Sequence, residues 1–368
     1  MRFRCEREDL HRAVQSITGV VAAKGVHAIY ESCELRADDD GLTLRATDLE
    51  IGMRIHVAPS ETLHVERPGT AVVPAHRLAS ILRELPRGSV TITWDAERRD
   101  AVVEAGRARF QLQGQSPEDF PEIPTVETHQ SIEIAAGTFR ELVRKTAFAA
   151  AKERMRFALN GILLVVGHQG VEFVATDGRR LARMSAECEN AAGVEFRAIV
   201  PTKGLQQLDR AVSSDDTVLR IAIGNNHFSG STEQATVVSR LVEGTFPPYQ
   251  DVIPKDCASS ARIERDELQA ALKRTALVTT RDAQSVKLSF SAGTLALAAR
   301  SAEGSANEEL ECEYDGESID LGYNPAFLLD VLGLLADDSL TFEWNNATAP
   351  ACIREGAYTY VVMPVTLE

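Results

Sequence analysis

The feature that most constrains this sequence is an internal repeat. Segments of one pattern begin at Phe3 (FRCEREDLHRAVQSI), Ile132 (IEIAAGTFRELVRKT) and Ala261 (ARIERDELQAALKRT), so that each start lies 129 residues after the one before. In each segment, alternating apolar and polar residues give way to apolar residues at helical spacing, which predicts a short strand followed by a helix of about three turns. A repeat of this kind indicates that one structural unit is built three times along the chain.

The register extends beyond these segments. GLTLRATD begins at Gly41 and GVEFVATD at Gly170, again 129 residues apart, whereas the third copy, GTLALAAR from Gly293, has lost the Thr-Asp pair. In every repeat a strand and a proline then precede a second apolar-faced helix, because proline favours a first helical turn. Two proline-rich segments, DFPEIP at 119–124 and TFPPYQDVIP at 245–254, predict linkers.

The linkers divide the chain into three predicted domains, 1–127, 128–257 and 258–368. Each would hold two halves, built of a strand, a helix and several further strands, so we predict an α+β fold with antiparallel sheets. So many strands leave open sheet edges, which invite association between chains. A closed assembly that pairs these edges end to end would remove that hazard.

Composition narrows the class of protein. Of the 368 residues, 44% are hydrophobic and 25% are charged, which is ordinary for a globular protein. No apolar run reaches the roughly 18 residues of a membrane helix, and the start, MRFRCEREDL, is unlike a signal peptide, so we expect a cytoplasmic protein. The six cysteines form no CxxC pair, which argues against a zinc site and against a disulfide framework.

The net charge of −15 would by itself argue against a nucleic-acid partner. The acidity is uneven, however, with 16 basic and 21 acidic residues in 1–128, 15 of each in 129–257, and 8 basic and 18 acidic residues in 258–368. The direction in which the basic side chains point therefore matters more than the total.

Two alternative classes of function have to be weighed. Asp48 and Asp177 recur in the ATD motif and could suggest the metal-binding carboxylate pair of a hydrolase. They occupy equivalent positions of different domains, though, and an aspartate after threonine at the end of a strand commonly caps a turn. GxSxG, HExxH and Walker-type motifs are absent from the sequence. The other alternative, a scaffold with no DNA partner, would keep the repeat but should lack basic helix faces.

The order of motifs resembles the bacterial beta sliding clamp family from the first residue to the last. The matching stretches are MRFRCERE at the start, ATDLEI at 46–51, LNGILL at 159–164, ATDGRRLA at 175–182, SRLVEGTFPPY at 239–249 and YVVMPVTL at 360–367. The resemblance implies a non-enzymatic ring with no cofactor and no metal. Two chains of three domains would join head to tail, with helices lining a hole for duplex DNA and antiparallel sheets outside.

A ring that slides must hold DNA without gripping it, so weak and sequence-independent phosphate contacts suit it. Basic side chains on the predicted helices are typical of solvated helix faces when taken alone. The resemblance implies that these helix residues face DNA, together with basic residues of two loops, Lys24 in one and Lys152, Arg154 and Arg156 in the other. This DNA-facing set is Arg7, Arg12, Lys24, Arg77, Arg83, Arg140, Arg144, Lys145, Lys152, Arg154, Arg156, Lys203, Arg210, Lys273 and Arg274.

The resemblance also implies a pocket between the second and third domains, beside the C-terminus. There the DNA polymerase III alpha subunit, the clamp loader, and other polymerases and repair proteins would each dock a short peptide motif. An apolar pocket with a few orienting polar groups suits such a peptide, although a run such as VVMPV is also typical of a buried strand. The pocket set is Leu159, Thr176, Gly178, Arg179, Arg180, Leu181, Pro247, Val252, Val361, Met363, Pro364, Val365 and Leu367.

Three residues depart from the family pattern at this pocket. Arg179 replaces what is often histidine, Asp251 takes a position that is sometimes arginine, and Thr366 stands where a basic residue can occur. The changes at Asp251 and Thr366 make the rim more acidic and could shift the preference among partners.

Overall fold

A computed structural model of the chain describes residues 1–22, 27–126, 131–152, 157–168, 170–190, 193–212, 214–280 and 284–367. In the first third of the chain the elements are β1 (Arg2–Glu6), α1 (Arg7–Thr18), β2 (Ser32–Asp38), β3 (Gly41–Thr47), β4 (Ile51–Val57), β5 (His64–Arg67), β6 (Gly69–Pro74), α2 (Ala75–Glu84), β7 (Ser89–Asp95), β8 (Asp100–Ala105) and β9 (Ala108–Gln113).

The middle third continues the series with β10 (Ser131–Ala135), α3 (Ala136–Thr146), β11 (Gly161–Gly167), β12 (Gly170–Thr176), β13 (Arg180–Ala186), β14 (Phe196–Pro201), α4 (Thr202–Ala211), β15 (Val218–Ile223), β16 (His227–Ser231) and β17 (Ala235–Arg240). The last third contains β18 (Ser259–Glu264), α5 (Arg265–Thr275), β19 (Val286–Ser291), β20 (Thr294–Ser301), β21 (Gly304–Glu311), β22 (Ile319–Tyr323), α6 (Pro325–Leu332), β23 (Ser339–Trp344), β24 (Ala351–Glu355) and β25 (Tyr358–Val362). Short 3₁₀ helices lie at Ala28–Glu31, Pro117–Asp119, Ala147–Ala149, Phe157–Leu159, Tyr249–Asp251 and Ala276–Val278.

The predicted strand-then-helix unit is confirmed in all three repeats. β1, β10 and β18 each lead directly into a helix of 11 or 12 residues: α1, α3 and α5. The apolar stripe predicted for the first helix is its buried face, because Leu10, Val14 and Ile17 are all shielded from solvent. Amphipathic spacing of this kind is what allows a helix to cover a sheet.

The second helix of each repeat also forms, but proline plays the predicted part in only one of them. Pro325 is the first residue of α6 and is preceded by Asn324, whose side chain accepts a hydrogen bond from the Ala326 amide. Pro74 instead sits at the N-cap of α2, and Pro201 ends β14. Proline therefore marks the boundary between strand and helix here, as expected from its fixed φ and missing amide hydrogen.

All strand pairs are antiparallel in the described part of the chain, which confirms the α+β prediction. The strands form sheets in the orders β5-β1-β7-β8-β9, β10-β15-β16-β17-β4-β3-β2-β6, β14-β11-β12-β13-β25-β24-β23-β18 and β21-β20-β19-β22. Both eight-stranded sheets join strands from neighbouring repeats, through β4 with β17 and β13 with β25.

Because of these shared sheets, three repeats pack as two compact units. The first unit comprises residues 1–139, 188–194 and 203–241, and the second comprises 140–187, 195–202 and 242–368. Within the first unit α1 packs against α2, and within the second α5 packs against α6. No helix in the described ranges is both long and apolar enough to cross a membrane.

Candidate functional site

A tight turn between β12 and β13 carries four of the predicted pocket residues. The Thr176 hydroxyl donates to the carbonyl of Arg180 at 2.6 Å and accepts from the amide of Gly178 at 3.0 Å. Asp177 accepts from the amides of Arg179 and Arg180 at 2.9 and 3.1 Å. Gly178 has a φ of +88°, a left-handed conformation in which glycine has no steric penalty. The sequence therefore specifies this turn locally.

The first unit contains the same turn between β3 and β4. Asp48 accepts from the amides of Glu50 and Ile51, as Asp177 does in the second unit. The turn-capping interpretation of Asp48 and Asp177 is thus confirmed, and each carboxylate is engaged by its own backbone. Among the residues that the structure describes, no group of three or more His, Cys, Asp and Glu side chains is placed to hold a metal ion.

Arg180 is held inside the protein, with only 6% of its side chain exposed. Its guanidinium lies over the rings of Phe148 and Phe327, at 5.2 and 4.5 Å from their centroids. It donates to Asp177 at 3.1 Å, to Asp330 at 2.6 Å and to the carbonyl of Phe148 at 2.8 Å. A buried cation needs such compensation. Arg180 therefore fastens the turn to α6, and it does not offer its charge to a ligand at the surface.

Every predicted pocket residue lies in the second unit, and three of them share one apolar cluster. Leu181 of β13 and Val361 of β25 are buried in it, and Leu159 packs against it from the 3₁₀ helix that precedes β11. The two strands are hydrogen-bonded neighbours, with Leu181 opposite Val361. The other buried members are Leu163, Val174, Ile199, Phe246, Tyr249 and Cys352.

The remaining apolar pocket residues stay accessible. Val252 is 46% exposed and Met363 is 39% exposed, and Val365 and Pro247 are also at the surface. The amide of Met363 donates to the carbonyl of Arg179 at 2.8 Å, so the C-terminal tail adjoins the β12–β13 turn. Exposed large hydrophobic residues beside an apolar cluster are typical of a binding surface.

Tyr249 is a member of this cluster that the predicted pocket set omitted, although the set included Pro247 and Val252 of the same proline-rich segment. Its ring is buried, and its hydroxyl donates to Glu172, which also accepts from Arg183. Burial, and then the hydrogen bond to Glu172, raise the pKa of Tyr249. These contacts hold the segment that carries Pro247 and Val252 against the sheet. In the sequence, the two aromatic residues Phe246 and Tyr249, three positions apart, were the signal that this segment packs into the core.

The predicted DNA-facing residues lie mainly at exposed helix positions. Arg77, Arg144 and Arg210 are exposed and make neither an ion pair nor a side-chain hydrogen bond with the described residues. Four other basic residues of the set form ion pairs: Arg12 with Asp9, Arg83 with Glu84, Lys203 with Asp48 and Arg274 with Glu308. The ammonium of Lys273 donates a hydrogen bond to Gln269. Arg7 and Arg140 are half-buried, Lys152 is exposed, and Lys24, Arg154 and Arg156 lie outside the described residues.

These positions have a structural explanation as well. Basic residues occupy the last turn of α2, α3, α4 and α5, where they complement the negative end of the helix dipole. α6 carries no basic residue at all. Exposure alone therefore does not assign the set to DNA.

Of the predicted DNA-facing residues that the structure describes, Lys145 is contradicted, because its side chain is buried. Only 4% of its side chain is exposed; its ammonium bonds Glu355 and lies 4.9 Å from the centroid of the Tyr358 ring. Glu355 also accepts from the amides of Ala336 and Asp337. Lys145 thus joins α3 to β24 and to the segment after α6. Its helical position turns inward, which counting basic residues could not show.

Comparison with known proteins agrees with this architecture. Models of the DNA polymerase III beta subunit match residues 1–124 (N-terminal domain), 133–248 (central domain) and 250–366 (C-terminal domain). Over 371 residues the chain is 32% identical to the beta sliding clamp of Pseudomonas aeruginosa, and all of both chains is covered. The chain belongs to the beta sliding clamp family. Over 372 residues it is also 31% identical to the beta sliding clamp of Escherichia coli K12, again with all of both covered.

The structures agree as well. A crystal structure of the DNA polymerase III subunit beta from Pseudomonas aeruginosa matches with a TM-score of 0.92, at 32% identity and over 100% of both chains. The resemblance of the motifs to the sliding clamp family is confirmed, as is the fold of three clamp domains. As a sliding clamp, the chain is a non-catalytic processivity subunit of a DNA polymerase, and the hydrolase alternative is wrong.

Proposed function

We propose that two copies of this chain close head to tail around duplex DNA and tether DNA polymerases to it for processive synthesis. The observation that carries the tethering part is the surface of the second unit. Met363, Val252 and Val365 are exposed, and the first two lie within two residues of Val361 and Ile253, which belong to or pack against the apolar cluster. A short peptide with apolar anchors fits such a site, and the flexible thioether of Met363 allows different peptides to be accommodated.

The partners would be the DNA polymerase III alpha subunit, the clamp loader, and other polymerases and repair proteins that share one peptide motif. We place the protein in the cytoplasm, where replication of bacterial DNA takes place. The domain limits follow the linkers, at 1–127, 128–257 and 258–368. Arg77, Arg144 and Arg210 support sequence-independent contact with phosphates, because their charges are available at the surface.

Two sheet edges that have no neighbouring strand in the described part of the chain support the homodimer. β9 is the last strand of the five-stranded sheet and carries Arg109 and the 40% exposed Phe110. β21 is the last strand of the four-stranded sheet and exposes Glu309 and Glu311. Each copy therefore offers one edge with a single cation, Arg109, which also pairs with Glu104 of β8 at 3.2 Å, and one acidic edge. Joining β9 to the partner's β21 would pair the backbones and the charges, twice per dimer by symmetry.

The experiment that tests the tethering site is a fluorescence anisotropy titration. The probe is a labelled peptide with a glutamine followed by leucine and phenylalanine anchors. We expect saturable binding in the micromolar range, about −8 kcal/mol. Met363→Ala and deletion of residues 365–368 should weaken it, whereas Val218→Ala, which trims an exposed valine of the first unit, should not. A wild-type chain that does not bind, or equal affinity in Met363→Ala, would contradict the proposal.

A further inference from the structure

The C-terminal tail, residues 363–367, crosses from one sheet of the second unit to another. It leaves β25 of the eight-stranded sheet, where the amide of Met363 donates to the carbonyl of Arg179 at 2.8 Å. Two residues later the amide of Val365 donates to the carbonyl of Gly322, also at 2.8 Å. Gly322 belongs to β22, an edge strand of the four-stranded sheet. The tail is therefore held at two points, on either side of Pro364.

The second point leaves no room for a side chain. A Cβ atom placed on Gly322 would lie 2.6 Å from the carbonyl oxygen of Val365 and 2.7 Å from Cδ2 of Leu367. Both distances are shorter than a carbon atom tolerates, and the first involves backbone, which cannot turn aside. Gly322 is buried and does not have a left-handed φ. Glycine is needed here because another chain segment approaches the strand closely.

We propose that Gly322 is a positioning residue of the peptide site. It seats the tail, and the seated tail places Met363 and Val365 at the rim where a partner peptide would bind. This inference rests on the proposed function of the second unit. It assigns a role to a residue 41 positions before Met363 that the motif pattern did not mark. Backbone that is fixed before binding loses less entropy on binding, so a loosened tail should cost affinity.

The test is Gly322→Ala, with Gly333→Ala as the matched control. Gly333 also lies in the second unit, but a Cβ there would have its nearest neighbour at 3.7 Å, an ordinary contact. We expect Gly322→Ala to weaken binding of the labelled peptide about tenfold, and to speed hydrogen exchange at the Val365 amide. Gly333→Ala should change neither. Wild-type-like affinity in Gly322→Ala, with unchanged exchange at Val365, would overturn the inference.

A second variant separates positioning from a general loss of stability. Leu367→Ala keeps Gly322 but removes the side chain that packs on it. We expect several-fold weaker peptide binding and faster exchange at Val365, with the melting temperature within about 2 °C of the wild type. If Gly322→Ala fails to fold, this variant decides by hydrogen exchange, because Leu367 itself belongs to the predicted pocket set, and unchanged exchange at Val365 would overturn the inference. If the wild-type chain does not bind the peptide, the proposed peptide site is wrong. If the wild type binds and neither Gly322→Ala nor Leu367→Ala changes binding or exchange, only the role of Gly322 is wrong.

Discussion

Arg144 and Lys145 are adjacent basic residues on α3, and the structure uses them in opposite ways. Successive helical residues point about 100° apart, so Arg144 faces solvent while Lys145 is buried against Glu355 and Tyr358. The equivalent positions of the third repeat, 129 residues later, are Lys273 and Arg274. There Arg274 pairs with Glu308 on β21. In both helices, therefore, the second basic residue of the pair is engaged by an acidic partner.

Replacing Lys145 should destabilise the protein rather than weaken DNA binding directly. Lys145→Met leaves Glu355 with only its two backbone donors, and the loss of the cation beside a mostly buried carboxylate costs roughly 3 kcal/mol. Urea denaturation of the full chain measures the change in the free energy of unfolding. Arg144→Ala is the control on the next residue and should stay within about 0.5 kcal/mol of the wild type. Equal destabilisation by the two substitutions would contradict the assigned roles.

Residue by residue, the sequence predicted what is determined locally. The ATD turn and its capping aspartates follow from short-range rules, and the structure contains them. The inward direction of Lys145 and the seat at Gly322 depend on residues far away in sequence. Glu355 and Val365, which decide them, could be found only after the strands had been assembled.

Among the secondary-structure elements, the 129-residue register predicted the helices well, because each carries its own apolar stripe. It did not predict which strands pair across the repeats. β4 meets β17 and β13 meets β25 because edge strands of neighbouring repeats complete one another's sheets. Such pairing is set by tertiary context, which single-strand patterns do not encode. The three repeats consequently pack as two units.

The edge strands β9 and β21, which the pairing between repeats leaves without a partner strand in the described part of the chain, allow the proposed dimer interface to be tested. Phe110→Asp puts a carboxylate on β9, where the partner's β21 would bring Glu309 and Glu311 close. We expect this variant to sediment as a monomer at micromolar concentration while the wild type sediments as a dimer. Val218→Asp is the control, since Val218 is a strand residue of the first unit that is 56% exposed, against 40% for Phe110. A wild-type monomer, or a Phe110→Asp dimer, would contradict the proposed interface.

For the whole molecule, an acidic chain can act on DNA if its accessible basic residues are directed to one surface. Arg77→Ala, Arg144→Ala and Lys273→Ala should each weaken binding to linear duplex at low salt. Each should also reduce the slope of log K against log salt by up to about 0.9, the value for one lost phosphate contact. Arg98→Ala, at an exposed turn after β7, serves as the charge-matched control and should have little effect. Equal effects of all four changes would indicate only a loss of net charge.

The most direct test of the central claim is retention on DNA of different topology. The wild-type chain would be loaded onto nicked circular plasmid by the clamp loader of the same cells, and complexes would be separated by gel filtration at high salt. We predict that the protein elutes with the circle and is released when a restriction enzyme linearises it, because a closed ring leaves only over a free end. Equal retention on circular and linear DNA would contradict encirclement, as would loss from both.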